Sequence, residues 1–106
     1  MKLISVRKLL AQGRLVLRFA DHALIEGRKD GLTSDDLEEA VFHGELIEDY
    51  GIRGLLLHFT RNDGIPYHIV LEYILGTDEA SIVTAYVPDA KLWQPDWRRR
   101  RRKKRK

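Results

Sequence analysis

Histidine is the side chain best suited to moving protons near neutral pH, and this 106-residue sequence carries four, His22, His43, His58 and His68. They are at least ten residues apart, so they form no short metal-ligand motif, and a zinc site would need ligands assembled by the fold. Cysteine is absent, which removes thiolate ligands and disulfides alike. No phosphate loop, dinucleotide fingerprint or nucleophile elbow occurs, and no cofactor is expected. The chemistry these residues do suit is metal-free RNA cleavage. A base takes the 2′-hydroxyl proton, a cation steadies the phosphorane, and an acid protonates the leaving oxygen. His22, expected in the first turn of a helix, and His68, expected on a central strand beside Tyr67, are the candidates for the two proton roles. Tyr86, on the last strand, could donate a hydrogen bond or stack on a base. Arg28, Arg53 and Arg61 are the candidate phosphate contacts within the body. Each also has a plain structural explanation: His22 as a helix start, His68 as a satisfied sheet histidine, and Tyr86 as core.

Charge is the second signal. The chain holds 19 basic and 16 acidic residues, a net +3. Its last nine residues are all basic: Arg98, Arg99, Arg100, Arg101, Arg102, Lys103, Lys104, Arg105 and Lys106. Without them 10 basic residues face 16 acidic ones, so residues 1–97 carry −6. A like-charge block of this kind is expected to stay solvated. It seeks polyanions, whose counterions it releases on binding: RNA, DNA or an anionic membrane surface. A solubility tail, or one that docks on an acidic protein, is the bland alternative. The organisation expected is one α+β domain over residues 1–97 and a disordered polybasic tail over 98–106.

The elements that must position these residues can be read from periodicity. Leu3, Val6, Leu9 and Leu10 recur at helical spacing before Gly13. Residues 15–19 are apolar and β-prone, either a strand or an extended lead-in. Asp21 is expected to cap a short helix over 22–29. Thr33, with Asp36 three residues later, approximates a capping box for a helix that ends at Gly44. Asp35-Asp36 and Glu38-Glu39 read as its solvated face. The period then changes to two, and residues 46–50, 55–60, 67–75 and 81–87 read as four successive strands. Helices first and strands in a run afterwards predict an antiparallel sheet. Leu55, Leu57 and Phe59 are expected to face the helices, leaving Leu56, His58 and Thr60 on an open face.

No apolar run approaches the roughly 20 residues that span a bilayer. The charged start, Met1-Lys2-Leu3-Ile4-Ser5-Val6-Arg7-Lys8, makes a poor secretory signal. A cytoplasmic protein is the expectation.

Several runs resemble the domain-of-unknown-function family 4258. They are Phe19-Ala20-Asp21-His22-Ala23-Leu24, Asp30-Gly31-Leu32-Thr33, Gly44-Glu45-Leu46-Ile47-Glu48-Asp49-Tyr50, Asp63-Gly64-Ile65-Pro66-Tyr67-His68-Ile69-Val70 and Thr84-Ala85-Tyr86-Val87-Pro88-Asp89. Trp93, Asp96 and the basic end close the series. The resemblance implies a RelE/ParE-like toxin fold, helices packed on an antiparallel sheet as in small bacterial ribonucleases. It puts His22, His68, Thr84 and Tyr86 on motif positions as a candidate catalytic set. It also implies RNA as substrate and an antitoxin protein as partner. The function expected is a toxin-like, metal-independent endoribonuclease. The alternative is a non-catalytic module of the same fold that binds nucleic acid or protein.

Overall fold

Three helices form where the apolar spacing is helical and five strands where it alternates. In chain order they are α1 (Leu3–Ala11), β1 (Val16–Phe19), α2 (Asp21–Lys29), α3 (Ser34–His43), β2 (Glu45–Asp49), β3 (Arg53–Phe59), β4 (Pro66–Tyr73) and β5 (Glu79–Tyr86). The computed structural model describes residues 1–102. The expected RNA contacts Lys103, Lys104, Arg105 and Lys106 lie outside the described residues. Among the described residues no helix is long and apolar enough to cross a membrane.

Local chemistry sets the helix ends. The capping box of α3 is formed as expected: Asp36 N–H donates to Thr33 Oγ1 at 3.2 Å, and Thr33 N–H donates to Asp36 Oδ2 at 2.8 Å. These bonds satisfy two donors that a helix start leaves orphaned. Asp21 does not cap α2. It is the first helical residue, the cap position belongs to Ala20, and no side-chain bond is made there. An aspartate in that turn still complements the positive end of the helix. Gly44 ends α3 where backbone crowds it, since a Cβ there would lie 2.5 Å from the Ala40 carbonyl oxygen. Arg7 fastens α1 to the same corner, donating to the Val41 and Gly44 carbonyls at 2.7 and 2.6 Å.

The sheet has five strands in the order β1-β5-β4-β3-β2, not four antiparallel ones. β2, β3, β4 and β5 are antiparallel neighbours, but β1 runs parallel to β5, pairing Val16 with Glu79 through Phe19 with Ile82. The mixed sheet escaped the sequence reading because the partner of residues 16–19 lies some sixty positions downstream. Alternation within a segment carries no information about a pairing that distant. The turn between β3 and β4 follows its Asn62-Asp63-Gly64 chemistry, with Gly64 at a φ of 63° that a side chain would resist.

All three helices pack on one face. Val6, Ala23, Leu37, Ala40 and Val41 meet Leu56, Tyr67, Ile69, Leu71, Ile82 and Ala85 in one core cluster. The expected facing of β3 is thus reversed. Leu56 pairs with Ile69 and His58 with Tyr67, which turns Leu56 and His58 toward the helices and puts Leu55 and Leu57 on the other face. Residues 55–57 are three consecutive leucines, so β3 is apolar on both faces and its alternation has no sign.

That second face is not open. Leu55, Leu57 and His68 are buried there, and Trp93 is only 2% exposed. The cover is the segment after β5. Trp93 pairs with Arg100 across an antiparallel bridge, Gln94 N–H donates to the Arg99 carbonyl, and Trp97 N–H donates to the Gln94 carbonyl. The basic run expected to be wholly solvated therefore begins inside a tight turn. Arg98 reaches Glu45, Arg100 reaches Glu48 and Arg101 reaches the Ala90 carbonyl. Acceptors on the body overcome the mutual repulsion of the first arginines.

Thr33→Ala removes half of the capping box. It should destabilise the fold by about 1 kcal/mol, lowering Tm by roughly 4–8 °C for a domain of this size. Thermal unfolding followed by circular dichroism measures it, and an unchanged Tm would mean that the box contributes nothing.

Candidate nucleic-acid interface

The second face is organised around His68. Strand β4 presents it there because it pairs directly with Tyr86 on β5 and Leu57 on β3. Its side chain is fully buried. Nε2 lies 2.8 Å from the Trp97 carbonyl oxygen and Nδ1 lies 3.3 Å from Tyr86 Oη. A carbonyl only accepts, so Nε2 carries the proton, and Nδ1 is left to accept from the tyrosine hydroxyl. Burial pushes the imidazole below its ordinary value, an effect that the Trp97 carbonyl and Glu48 oppose. Burial also raises the Tyr86 phenol. His68 therefore rests as a neutral ring with both nitrogens engaged.

Aromatic packing continues outward from that ring. The Trp93 indole meets it edge-on at 4.5 Å between centroids, and the Arg100 guanidinium sits 4.6 Å over the same indole. Arg100 also forks onto Glu48, with Nε and Nη2 at 2.9 and 3.0 Å from the two carboxylate oxygens. Asp96 closes the turn by accepting from Arg98 N–H at 3.0 Å and from Arg99 Nε at 2.8 Å. Trp97 takes a φ of 61°, a left-handed conformation unusual for a bulky residue. That conformation accompanies the delivery of its carbonyl to His68. Around this turn Gln94, Arg99, Arg100, Arg101 and Arg102 line a cavity of about 520 Å³.

The candidate catalytic set is only partly brought together. His68, Thr84 and Tyr86 share the second face, Thr84 standing opposite Val70 two positions from Tyr86. His22 is exposed in the first turn of α2, and α2 packs on the helix side, where Ala85 points. His22 and His68 thus belong to opposite sides of the sheet. The body arginines are scattered as well. Arg53 pairs with Glu72 at 2.8 Å and Arg61 with Glu39 at 2.6 Å, while Arg28 lines a separate cavity beside Thr33 and Ser34.

Sequence reasoning missed Gln94, Glu45 and Glu48 as parts of this surface. The one available signal was the interleaving of two tryptophans with the start of the basic run. It also missed a cluster at the far end of α3. His58 Nε2 lies 3.7 Å from Glu39, the His43 ring is 6.5 Å away, and Asp35, Asp36 and Glu38 line the adjoining groove. Arg61 holds the Glu39 carboxyl below its usual range. Among the described residues no group of three or more His, Asp or Glu side chains is placed to hold a metal ion.

No family model matches this chain, and neither a curated protein nor a solved structure does. The likeness to family 4258 rests on the quoted motifs alone.

The buried histidine makes stability depend on pH. An exposed imidazole in the unfolded chain takes up a proton near its ordinary value of 6.5, while the folded ring resists until lower pH. Below that value the unfolded state binds more protons, so stability is full above it and falls as pH drops toward the lowered folded value. Urea unfolding of the wild type should show lower stability at pH 5 than at pH 7, with a smaller loss in His68→Gln. Equal losses would assign the titration to other groups. At pH 7, His68→Ala strands the Tyr86 hydroxyl and the Trp97 carbonyl and should cost about 2–4 kcal/mol.

Proposed function

We propose that this chain is a non-catalytic RNA-binding module whose contact surface is the arginine-lined cavity at its C-terminal turn. The observation that carries this reading is that Arg99, Arg100, Arg101 and Arg102 surround one cavity of about 520 Å³ on a backbone pinned to the sheet. Guanidinium groups held in place lose less conformational freedom on meeting phosphate than groups on a free chain. Arginine also presents a planar fork that matches phosphate oxygens. Four further basic residues follow in the sequence. The rest of the body carries −6, so a polyanion is steered toward this end and away from the acidic groove beside α3. RNA, as opposed to DNA, is taken from the resemblance to small ribonucleases.

Binding is preferred to cleavage on geometric grounds. Acid–base cleavage needs two proton-transfer groups flanking one phosphate. His22 and His68 lie on opposite sides of the sheet, and His68 is sealed beneath Trp93 and Trp97. A toxin-like ribonuclease with an antitoxin partner is the reading this one replaces, and the same experiment decides between them.

Full-length protein titrated into fluorescently labelled single-stranded RNA at several salt concentrations gives both the affinity and the salt slope. Replacing Arg99, Arg101 and Arg102 with alanine should lower the magnitude of that slope by about 2, at roughly 0.7 per lost phosphate contact. The RNA should remain intact. An unchanged slope would remove the cavity as the interface. Fragmentation that disappears in His22→Ala would restore the ribonuclease.

A further inference from the structure

Glu45 and Glu48 are three residues apart on β2, a spacing that normally sends side chains to opposite faces of a strand. Here they share one. The β2–β3 register shifts between Leu46 and Glu48, so Glu45 opposes Leu57 and Glu48 opposes Leu55. A bulge of this kind inserts one residue and re-aims those beyond it. Both carboxylates are thereby brought to the second face, beneath the C-terminal turn. Arg98 Nε lies 2.8 Å from Glu45 Oε2, and Arg100 takes both oxygens of Glu48.

Resting on the RNA-binding reading above, we infer that Glu45 and Glu48 are built-in stand-ins for phosphate, occupying Arg98 and Arg100 until nucleic acid displaces them. A carboxylate offers the arginine fork the same two-oxygen edge that phosphate does. The two pairs differ in how readily they exchange. Arg98 and Glu45 are 42% and 52% exposed, so water and salt screen them and phosphate replaces Glu45 first. Glu48 is only 18% exposed and holds an arginine already packed on Trp93, so it yields last. Single anions then compete poorly with the internal carboxylates. A strand presenting several phosphates in series wins by releasing several counterions at once. The arrangement sets a threshold that favours polyanions over free phosphate.

The test uses the full chain and labelled oligouridine, with three proteins: wild type, Glu45→Gln/Glu48→Gln, and Asp35→Asn/Glu38→Gln. The last neutralises two exposed carboxylates on α3 and so controls for net charge. In the wild-type complex the two displaced carboxylates take up cations again and cancel part of the counterion release. Neutralising them should therefore steepen the salt slope by about 1.4, two charges at roughly 0.7 each, and tighten binding roughly 25-fold at 0.1 M salt. The α3 control should leave the slope unchanged. Inorganic phosphate should compete more strongly against the Glu45→Gln/Glu48→Gln protein than against wild type. If wild type binds but both double variants shift equally, the stand-in role is overturned and the RNA-binding reading survives. If none of the three binds, both fall together. Glu45→Gln alone keeps the Glu48–Arg100 fork and the packing beneath it, so it decides the matter should the double variant fail to fold. It should give half the slope change, and an unchanged slope in that protein overturns the inference.

Discussion

The bond from His68 Nε2 to the Trp97 carbonyl is the constraint on which the second half of this molecule depends. A five-stranded sheet with helices on one side leaves its other side to water unless something covers it. Here β3 carries leucine on both faces, so exposure would cost two buried leucines along with the histidine. The cover is a single irregular turn whose backbone bonds, the Trp93–Arg100 bridge among them, close it on itself. A buried histidine joins it to the sheet in two directions, toward Tyr86 on β5 and toward Trp97 in the turn, beside the ion pairs of Arg98 and Arg100 with β2. None of the buried side-chain nitrogen or oxygen atoms among the described residues lacks a partner. This is the condition under which a polar group can sit in such a place.

Charge follows from that placement. The acidic body and basic end compensate each other where they touch, at Glu45, Glu48 and Asp96. The bulge in β2 determines that two carboxylates meet the turn on one face. The arginines nearest the sheet are thus oriented by the protein itself, and the cavity beside them has a defined shape. A free polybasic end would attract polyanions through charge alone. An end whose first arginines are anchored would also constrain where a first phosphate sat.

The same network bears on the histidine that the motifs single out. A proton-transfer residue must touch its substrate. His68 touches Trp93, Trp97 and Tyr86 instead. Its bonds to Tyr86 and to the Trp97 carbonyl serve a structural task, holding the C-terminal turn against β4 and β5. The Glu39–His58–His43 cluster lies on the other side of the sheet and is built from residues whose individual patterns are unremarked: a helix carboxylate, a helix-end histidine and a strand histidine.

Local rules carried the helices, the capping box at Thr33 and Asp36, the turn at Gly64 and the four long strands, because each is decided by residues within a few positions of one another. The split between a −6 body and a basic end is likewise a property of the chain alone. Three features required the tertiary structure. The parallel pairing of β1 with β5 joins segments some sixty residues apart. The facing of β3 was undecidable from Leu55-Leu56-Leu57 and was settled by its register with β4. The fate of the arginines depended on a bulge that turned Glu45 and Glu48 to one side and on a histidine waiting across the sheet. Periodicity records which residues avoid water. Which partner covers them, and from which side, is a long-range choice made only when the whole sheet closes on its core.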